Sequence, residues 1–532
     1  MMIRMHIELN DIGKASARGS FFLFLGKTSS TIIMAIASIL VARLLGPENY
    51  GLYVVAMIIP SILVTLSDFG ISSSLIKFCA QFSAERKDKK VVSLIKTGIL
   101  FNLILALLIS LVLLLFSESI ATWVLRRPSL DLIIRFTTVY VVGQMFLNIV
   151  VSVFIGLDKT EKSGLIMNVQ AIIKAVASPL LVLGMGVLGA VLGAGVGVLL
   201  AAVTGITMLV FHLYAVDKKS GEGNVNFTQG LRIMITYGMP LYLSILILGL
   251  LTQYKSFLLA LFVSDAEIGN YTIAINFSVL ITLISYPIAT SLFPAFSKLS
   301  IKKEQDAVER MFKFSVKYVS LLLIPASIAL AVLSKEAVYT LYGSQYQLAP
   351  SYLSIYVLSF LCAGFGMYVV SSFFNGQGDT MATLRINIIN ICLAAPLAFI
   401  ATFLYGVLGL VISLVATDFL SNAYALYLAR KKYKVTVDWA SFLRIAIASL
   451  SSALLVYLFI TFTPIHDSLF KLAVGGLIYV TSFLAFAPLL KAISKEDIRN
   501  LNELTKELTL IYPITKRILS LEEKILALNV TL

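Results

Sequence analysis

The chain has 532 residues, 59% of them hydrophobic and only 13% charged, and its mean hydropathy is +0.93. A soluble globular domain carries about 25% charged residues, so this composition excludes one: such a chain cannot cover its own surface in water, and the solvent it fits is lipid. The formal net charge of +14 invites a nucleic-acid reading, which the placement of the charges then removes.

A helix crosses the hydrocarbon with about 20 predominantly apolar residues. After an N-terminal arm, 1–19, runs of that length lie near 20–45, 50–73, 92–116, 132–155, 164–185, 188–214, 233–262, 268–293, 316–341, 349–374, 386–404, 406–429, 443–462 and 469–490. The expected fold is therefore all-α, a polytopic membrane protein of about fourteen helices. The runs are continuous, whereas barrel strands alternate over about ten residues. The first run is longer than a signal-peptide core and ends in Arg43-Leu44-Leu45-Gly46-Pro47-Glu48, with no small-x-small cleavage pattern. Cys79, Cys362 and Cys392 are too few for a disulfide framework, and with His6, His212 and His466 they match no metal site.

The basic residues outside the runs fall in alternate loops. One set holds Arg4, Lys14 and Arg18, then Lys77 and Arg86 to Lys90, Lys159 and Lys162, Lys218, Lys219 and Arg232, Lys298 to Lys317, Arg385, Arg430 to Arg444, and the residues beyond Leu490. The other loops hold Arg43, Arg126, Arg127, Lys335 and Lys471. The positive-inside rule makes the first set cytoplasmic, with both termini on that side. The basic excess is then a topology signal and not a nucleic-acid footprint, with attraction to anionic lipid second.

Three stretches recur at nearly one offset. Tyr50-Gly51-Leu52-Tyr53-Val54-Val55-Ala56 pairs with Ile268-Gly269-Asn270-Tyr271-Thr272-Ile273-Ala274, and Phe154-Ile155-Gly156 with Phe374-Asn375-Gly376. Gly186-Val187-Leu188-Gly189 pairs with Gly406-Val407-Leu408-Gly409. The copies lie six spans apart, so both enter the membrane in the same sense, as parallel transporter repeats do. The expected domains are an N-lobe, 20–214, a cytoplasmic linker, 215–230, a C-lobe, 231–430, two further helices within 431–490, and a cytoplasmic amphipathic tail, 491–532. The two lobes are six-helix, pseudo-symmetric bodies.

The stretch Ala42-Arg43-Leu44-Leu45-Gly46-Pro47-Glu48-Asn49-Tyr50-Gly51-Leu52-Tyr53 resembles the first inter-span turn of polysaccharide-biosynthesis flippases. Asp68-Phe69-Gly70-Ile71, Leu292-Phe293-Pro294-Ala295 and Leu341-Tyr342-Gly343-Ser344-Gln345-Tyr346 are similar to later motifs of the same family. This is the O-antigen (Wzx-like) flippase family of the multidrug/oligosaccharidyl-lipid/polysaccharide exporter superfamily, and the resemblance covers residues 15–490. It marks Arg43, Gly46, Pro47, Glu48, Tyr50, Gly51, Tyr53, Asp68 and Gly70 as family positions. It implies a V-shaped bundle in the cell membrane that flips lipid-linked oligosaccharide to the outer leaflet by alternating access.

Ionisable groups at membrane depth are costly, about 2.5–3.5 kcal/mol at a helix centre, and are functional candidates by default. Lys27, Lys174 and Lys255 lie inside runs and suit the phosphate of a polyprenyl-phosphate- or pyrophosphate-linked glycan, because an ammonium is a good point partner for phosphate. Asp418, near the middle of its run, is the coupling or gating candidate; the ion, H⁺ or Na⁺, stays open. Lys174 and Asp418 pairing with each other, or with polar neighbours, is the plainer alternative. Asp68, Lys96 and Arg135 lie nearer run ends and read as interfacial or loop-pairing groups. Pro60, Pro179, Pro240, Pro287 and Pro396 interrupt runs as kinks or hinges, and the glycines from Gly184 to Gly197 permit close helix packing.

In the tail, Ser494 followed by Asp497 signals a helix start. Leu501, Leu504, Leu508 and Ile511 follow at helical spacing, up to Pro513. A cation-coupled drug exporter is the competing transporter reading; it sits badly with lysines in the first lobe. A membrane glycosyltransferase or ligase lacks its acid-bearing loop, and a primary pump lacks GxxxxGK[ST]. The reading is therefore a monomeric transporter and not an enzyme, with no cofactor and no metal, and with membrane lipids, a lipid-linked glycan and glycan-assembly enzymes as partners.

Overall fold

The computed structural model describes residues 2–217, 226–299 and 301–506, with Tyr512, Lys516, Arg517, Ser520 and Glu522. Lys218 and Lys219 of the expected linker and Leu508, Ile511 and Pro513 of the tail lie outside the described residues. So do the side chains of Arg4, Lys14 and Arg18. Among the described residues the chain is helical and has no strand. In lipid every backbone N–H and C=O needs an internal partner, which a helix supplies within one segment.

The helices run in order α1 (Met2–Ala56), α2 (Ile58–Leu66), α3 (Ile71–Ala84), α4 (Asp88–Ser119), α5 (Asp131–Gly156) and α6 (Thr160–Asp217). Then come α7 (Phe227–Phe262), α8 (Asp265–Asn276), α9 (Ser278–Ser297), α10 (Ile301–Val332), α11 (Ser334–Tyr342) and α12 (Ala349–Tyr356). The last are α13 (Val370–Gly376), α14 (Thr380–Tyr433), α15 (Trp439–Phe462), α16 (Ser468–Leu489) and α17 (Lys495–Lys506). Among the described residues, eleven stretches are long and apolar enough to cross a membrane. Three of them, Phe22–Leu66, Thr160–Tyr214 and Thr380–Tyr433, have 45, 55 and 54 residues. Each is long enough for two crossings of a hydrocarbon layer about 30 Å thick. Each breaks at a glycine outside helical geometry, Gly46, Gly186 or Gly406. Counting these three twice gives fourteen crossings, as the apolar runs predict.

Four runs expected to be single helices are interrupted. The run 50–73 breaks at Phe69 and Gly70, both with positive φ (45° and 79°). The run 268–293 breaks at Phe277, between α8 and α9, and the run 316–341 at Leu333, between α10 and α11. The run 349–374 holds a nine-residue 3₁₀ segment, Val357–Phe365, ended by Gly366 at φ 83°. Apolar composition reports depth in the membrane but not which hydrogen-bonding ladder the backbone follows, so these breaks leave no mark in hydropathy.

The duplication is written into the backbone. Gly186 has φ 56°, ψ −129° and Gly406 has φ 59°, ψ −138°. A Cβ on Gly189 would overlap the Leu181 carbonyl, and one on Gly409 the Ala401 carbonyl. Earlier in each copy the same turn recurs. Lys159 N donates to Phe154 O at 2.8 Å, as Asp379 N does to Phe374 O at 2.8 Å. The preceding residue has positive φ in both, Asp158 at 56° and Gly378 at 78°.

The chain divides into two compact units, one up to Gly269 and one from Asn270 on. In the first, α7 packs on α2, α3 and α4, and α5 and α6 pack on each other. Its core gathers Ile71, Leu75, Leu94, Ile95, Val153 and Phe154. In the second, α10, α15 and α16 build a core around Ile324, Ile445, Val456 and Tyr479, which the tail joins through Ala492, Ile493 and Ile498. The expected helix start at Ser494 is a reciprocal cap. Asp497 N donates to Ser494 Oγ (3.2 Å), and Ser494 N to Asp497 Oδ2 (2.7 Å). Lys317 on α10 pairs with the same carboxylate at 2.5 Å, and Leu501 and Leu504 lie on α17. Asp379, Asp438 and Asp467 cap α14, α15 and α16 by accepting from backbone N–H groups.

Candidate functional site

The motif 42–53 folds as a turn between two crossings. Gly46 has φ 73°, ψ 173°; the extended ψ suits the residue before proline and the positive φ requires glycine. Arg43 and Glu48 are exposed. Tyr50 is buried, its hydroxyl 2.8 Å from Ser38 Oγ, and its ring stacks on Tyr53 with centroids 6.0 Å apart. Gly51 and Gly269, partners in the repeat, make reciprocal contacts: a Cβ on Gly51 would overlap Asp265, and one on Gly269 would overlap Pro47. The repeated segments therefore touch each other within the first unit.

Beside that contact sits Arg127, which the sequence marks only as one of few basic residues in its set of loops. Its Nε donates to Asp265 Oδ1 at 2.7 Å. Its terminal nitrogens donate to the carbonyls of Leu125 (2.8 Å), Ala260 (2.5 Å) and Val263 (3.1 Å). The pair is largely covered, with 15% and 19% of the two side chains exposed. One guanidinium thus ties the loop before α5 to the C-terminal end of α7, whose last carbonyls lack helical partners, and to the first residue of α8.

Deeper in the first unit, Lys174 lies half-buried on α6. It is close enough to Tyr140 on α5 for its charge to act on that ring, and Tyr140 is in the same range of Tyr53. Ile172, Val176, Leu180 and Leu183 of α6 are exposed. Lys174 falls on the opposite side, where Gly197 comes within 3.1 Å of its backbone N when a Cβ is placed there. Lys27 is exposed on α1, and its carbonyl accepts from Ser30 and Thr31. Two residues on, Ser29 Oγ donates to Asn168 Oδ1 (2.8 Å), and Asn168 Nδ2 donates to Gly26 O (2.9 Å) and Gly164 O (2.8 Å), tying α1 to α6. Lys255 is half-buried on α7.

Asp68 serves the break after α2. Its carboxylate accepts from the Ser72 hydroxyl and from Ser72 N (3.3 Å), capping α3. Gly70 supplies the left-handed step, and a Cβ there would overlap Gly238 of α7. Arg135 pairs with Asp131 (2.9 Å) one turn away.

In the second unit Asp418 lies half-buried on α14. Its charge reaches Tyr356 and Tyr368, which flank the 3₁₀ segment Val357–Phe365, and Cys362 within it. Tyr356 is in turn within range of Tyr271, the repeat partner of Tyr53. Each unit therefore holds half-buried tyrosines within range of an ionisable group, Tyr140 of Lys174 in the first and Tyr356 and Tyr368 of Asp418 in the second.

A family model described as polysaccharide biosynthesis protein matches residues 16–300, and one described as MatE matches residues 240–400. The probable low-salt glycan biosynthesis flippase Agl15 of Haloferax volcanii is 26% identical over 259 residues, 46% of this chain and 52% of that protein. The succinoglycan biosynthesis transport protein ExoT of Rhizobium meliloti is 23% identical over 350 residues, 65% of this chain and 66% of that one. The chain thus spans about half the length of the first relative and just under two thirds of the second. Among solved structures, the lipid II flippase MurJ in an inward closed conformation superposes with TM-score 0.70 at 17% identity, over 88% of this chain and 98% of that one. An inward-facing multidrug resistance MATE family transporter reaches 0.59 at 17%, over 76% and 94%. The fold is the one these transporters share, and the chain belongs to the polysaccharide biosynthesis protein family.

Proposed function

We propose that this multi-pass membrane protein flips a polyprenyl-phosphate- or pyrophosphate-linked glycan from the cytoplasmic to the outer leaflet of the cell membrane. The observation that carries the reading is Lys174, a half-buried lysine on a membrane-crossing helix, on the side away from the exposed Ile172, Val176, Leu180 and Leu183 and within range of Tyr140. An ammonium there is costly unless it meets water or an anion, and a phosphate is the anion that a lipid-linked sugar brings. The names of the two curated relatives, a glycan flippase and a succinoglycan transporter, support the same cargo class.

In this reading both termini are cytoplasmic. The N-lobe is 20–214 and the C-lobe 231–430, the two rock against each other, and the pair of helices within 431–490 stands outside the repeat. Lys27 and Lys255 extend the basic path. The Arg127 clamp is the latch of the outer side, because the loops that carry Arg43, Arg126 and Arg127 are the sparsely basic ones. Asp418 is the group that takes a coupling cation, H⁺ or Na⁺. The MatE match over 240–400 keeps a cation-coupled drug exporter as the second reading.

The test is reconstitution in liposomes with a fluorescent polyprenyl-diphosphate sugar in both leaflets and a membrane-impermeant quencher outside. The proposed function predicts that the protein speeds loss of the inner-leaflet signal. Unchanged loss, together with extrusion of a cationic dye from the same vesicles, would favour the exporter.

A further inference from the structure

On α5, nothing large and apolar is exposed between Thr137 and Gly156, whereas on α4 Leu107, Leu111 and Leu115 are each more than half exposed. The outer helix meets lipid; α5 is enclosed by α2, α3, α4 and α6. Yet Tyr140, Gln144 and Asn148 are only half-buried. Spaced at i, i+4 and i+8, they form one stripe along the helix. Val139 and Gly143, on another side, pack against Gly195 and Leu199 of α6. A primary amide turned to hydrocarbon without a partner costs several kcal/mol, so the surface that this stripe keeps open suits water or a polar ligand and not lipid tails. Gly195 of α6 lies against Tyr140 N, and Gly197, two residues on, lies against Lys174, which places the lysine near the Tyr140 end of the stripe.

The two amides are only partly used. Gln144 Nε2 donates to Asn148 Oδ1 at 2.8 Å. Among the described residues this is the one side-chain hydrogen bond the pair makes, leaving Gln144 Oε1 and Asn148 Nδ2 as an acceptor and a donor. Asn168 on the neighbouring helix is the contrast: its oxygen and its nitrogen are consumed in tying α1 to α6. Asn168 is structural, while Gln144 and Asn148 keep capacity for something that enters.

We infer that Tyr140, Gln144 and Asn148 form a sugar subsite, which binds hydroxyl groups of the glycan while Lys174 holds the phosphate. A sugar hydroxyl both donates and accepts, so neighbouring hydroxyls match one free carbonyl and one free amide N–H. The tyrosine adds an apolar ring face and a hydroxyl. Lysine meets the phosphate common to every carrier; the amides meet what differs between glycans. The stripe is therefore the specificity-determining part of the path, an inference that rests on the flippase reading.

The test uses the full chain in phosphatidylethanolamine–phosphatidylglycerol vesicles. The probes are fluorescent polyprenyl diphosphates carrying either one N-acetylhexosamine or a neutral hexose tetrasaccharide. For Gln144→Leu and Asn148→Leu, the ratio of the two flipping rates shifts about tenfold from wild type, while Lys174→Ala lowers both rates and leaves the ratio alone. Gln144→Ala and Asn148→Ala, checked for membrane abundance, serve if the leucine variants fold poorly. An unchanged ratio in folded amide variants overturns the subsite and leaves the flippase reading standing. A wild-type protein that moves neither probe overturns both.

Discussion

Gly186 and Gly406, 220 residues apart, hold the same backbone conformation, with φ 56° and 59° and ψ −129° and −138°. Residues with a Cβ rarely adopt it, and holding one there costs about 1–3 kcal/mol. No atom crowds a Cβ at either position, so the penalty is conformational and not steric. Gly186→Ala and Gly406→Ala should each lower the thermal midpoint in detergent. Gly184→Ala, also uncrowded and within α6, should not, since alanine is the better helix former by about 1 kcal/mol. Equal midpoints for all three variants would remove the turn from the account.

Asp379 and Lys432 are 2.7 Å apart, and Tyr433 also donates to the carboxylate at 2.9 Å. In the first copy the same two positions hold Lys159 and His212, with Lys159 Nζ 2.8 Å from His212 Nδ1. The repeat keeps the tie and changes its chemistry. Burial raises the Asp379 carboxyl, but the bonds from Lys432 and Tyr433 together outweigh it and hold the group below its usual range. A carboxylate with a lowered folded pKa stabilises above its unfolded pKa, about 3.9, and loses that contribution as pH falls through the folded value. Lys432 is mostly exposed, so the pair contributes only about 0.2–1 kcal/mol. Asp379→Asn should lower the midpoint slightly at pH 7, and the gap should close below about pH 4. A gap that widens on acidification would contradict this sign.

Removing Arg127 leaves Asp265 and the carbonyls of Ala260 and Val263 without their donor. Breaking a largely covered ion pair by losing one partner costs about 3–5 kcal/mol. Arg127→Ala and Asp265→Asn should raise the rate at which an impermeant thiol reagent, added outside, labels a cysteine introduced at Tyr53. Labelling of these variants at the rate of the parent, which keeps Arg127 and Asp265, would mean that the clamp does not close the outer side.

The loop Arg86–Lys90 is expected in the cytoplasm. A single cysteine at Lys89 should react with an impermeant maleimide only after the membrane is permeabilised. Reaction in intact cells would invert the topology.

The fourteen crossings and the repeat were legible because both are written in local residue types: apolar length for the crossings, and Gly-x-x-Gly at two turns for the repeat. The Ser494–Asp497 cap was legible for the same reason. The Arg127 clamp was not, since it joins a loop to the end of a helix more than 130 residues away, and only the sparse basicity of its set of loops hinted at it. Gln144 and Asn148 carry no charge, so the sequence does not mark them as it marks an ion at depth, although an unpartnered amide in hydrocarbon is itself costly. Asp68 reads differently in three dimensions: the motif marks the break that it caps.

The most direct test of the central claim is the flipping rate of a polyprenyl-diphosphate sugar by Lys174→Ala and Lys174→Arg beside wild type, at matched protein in the vesicles. If the cation holds the phosphate, alanine should lower the rate at least tenfold and arginine should keep a substantial part of it, because charge-assisted bonds to phosphate survive the exchange while the geometry changes. Wild-type flipping by a well-folded Lys174→Ala protein would contradict the account.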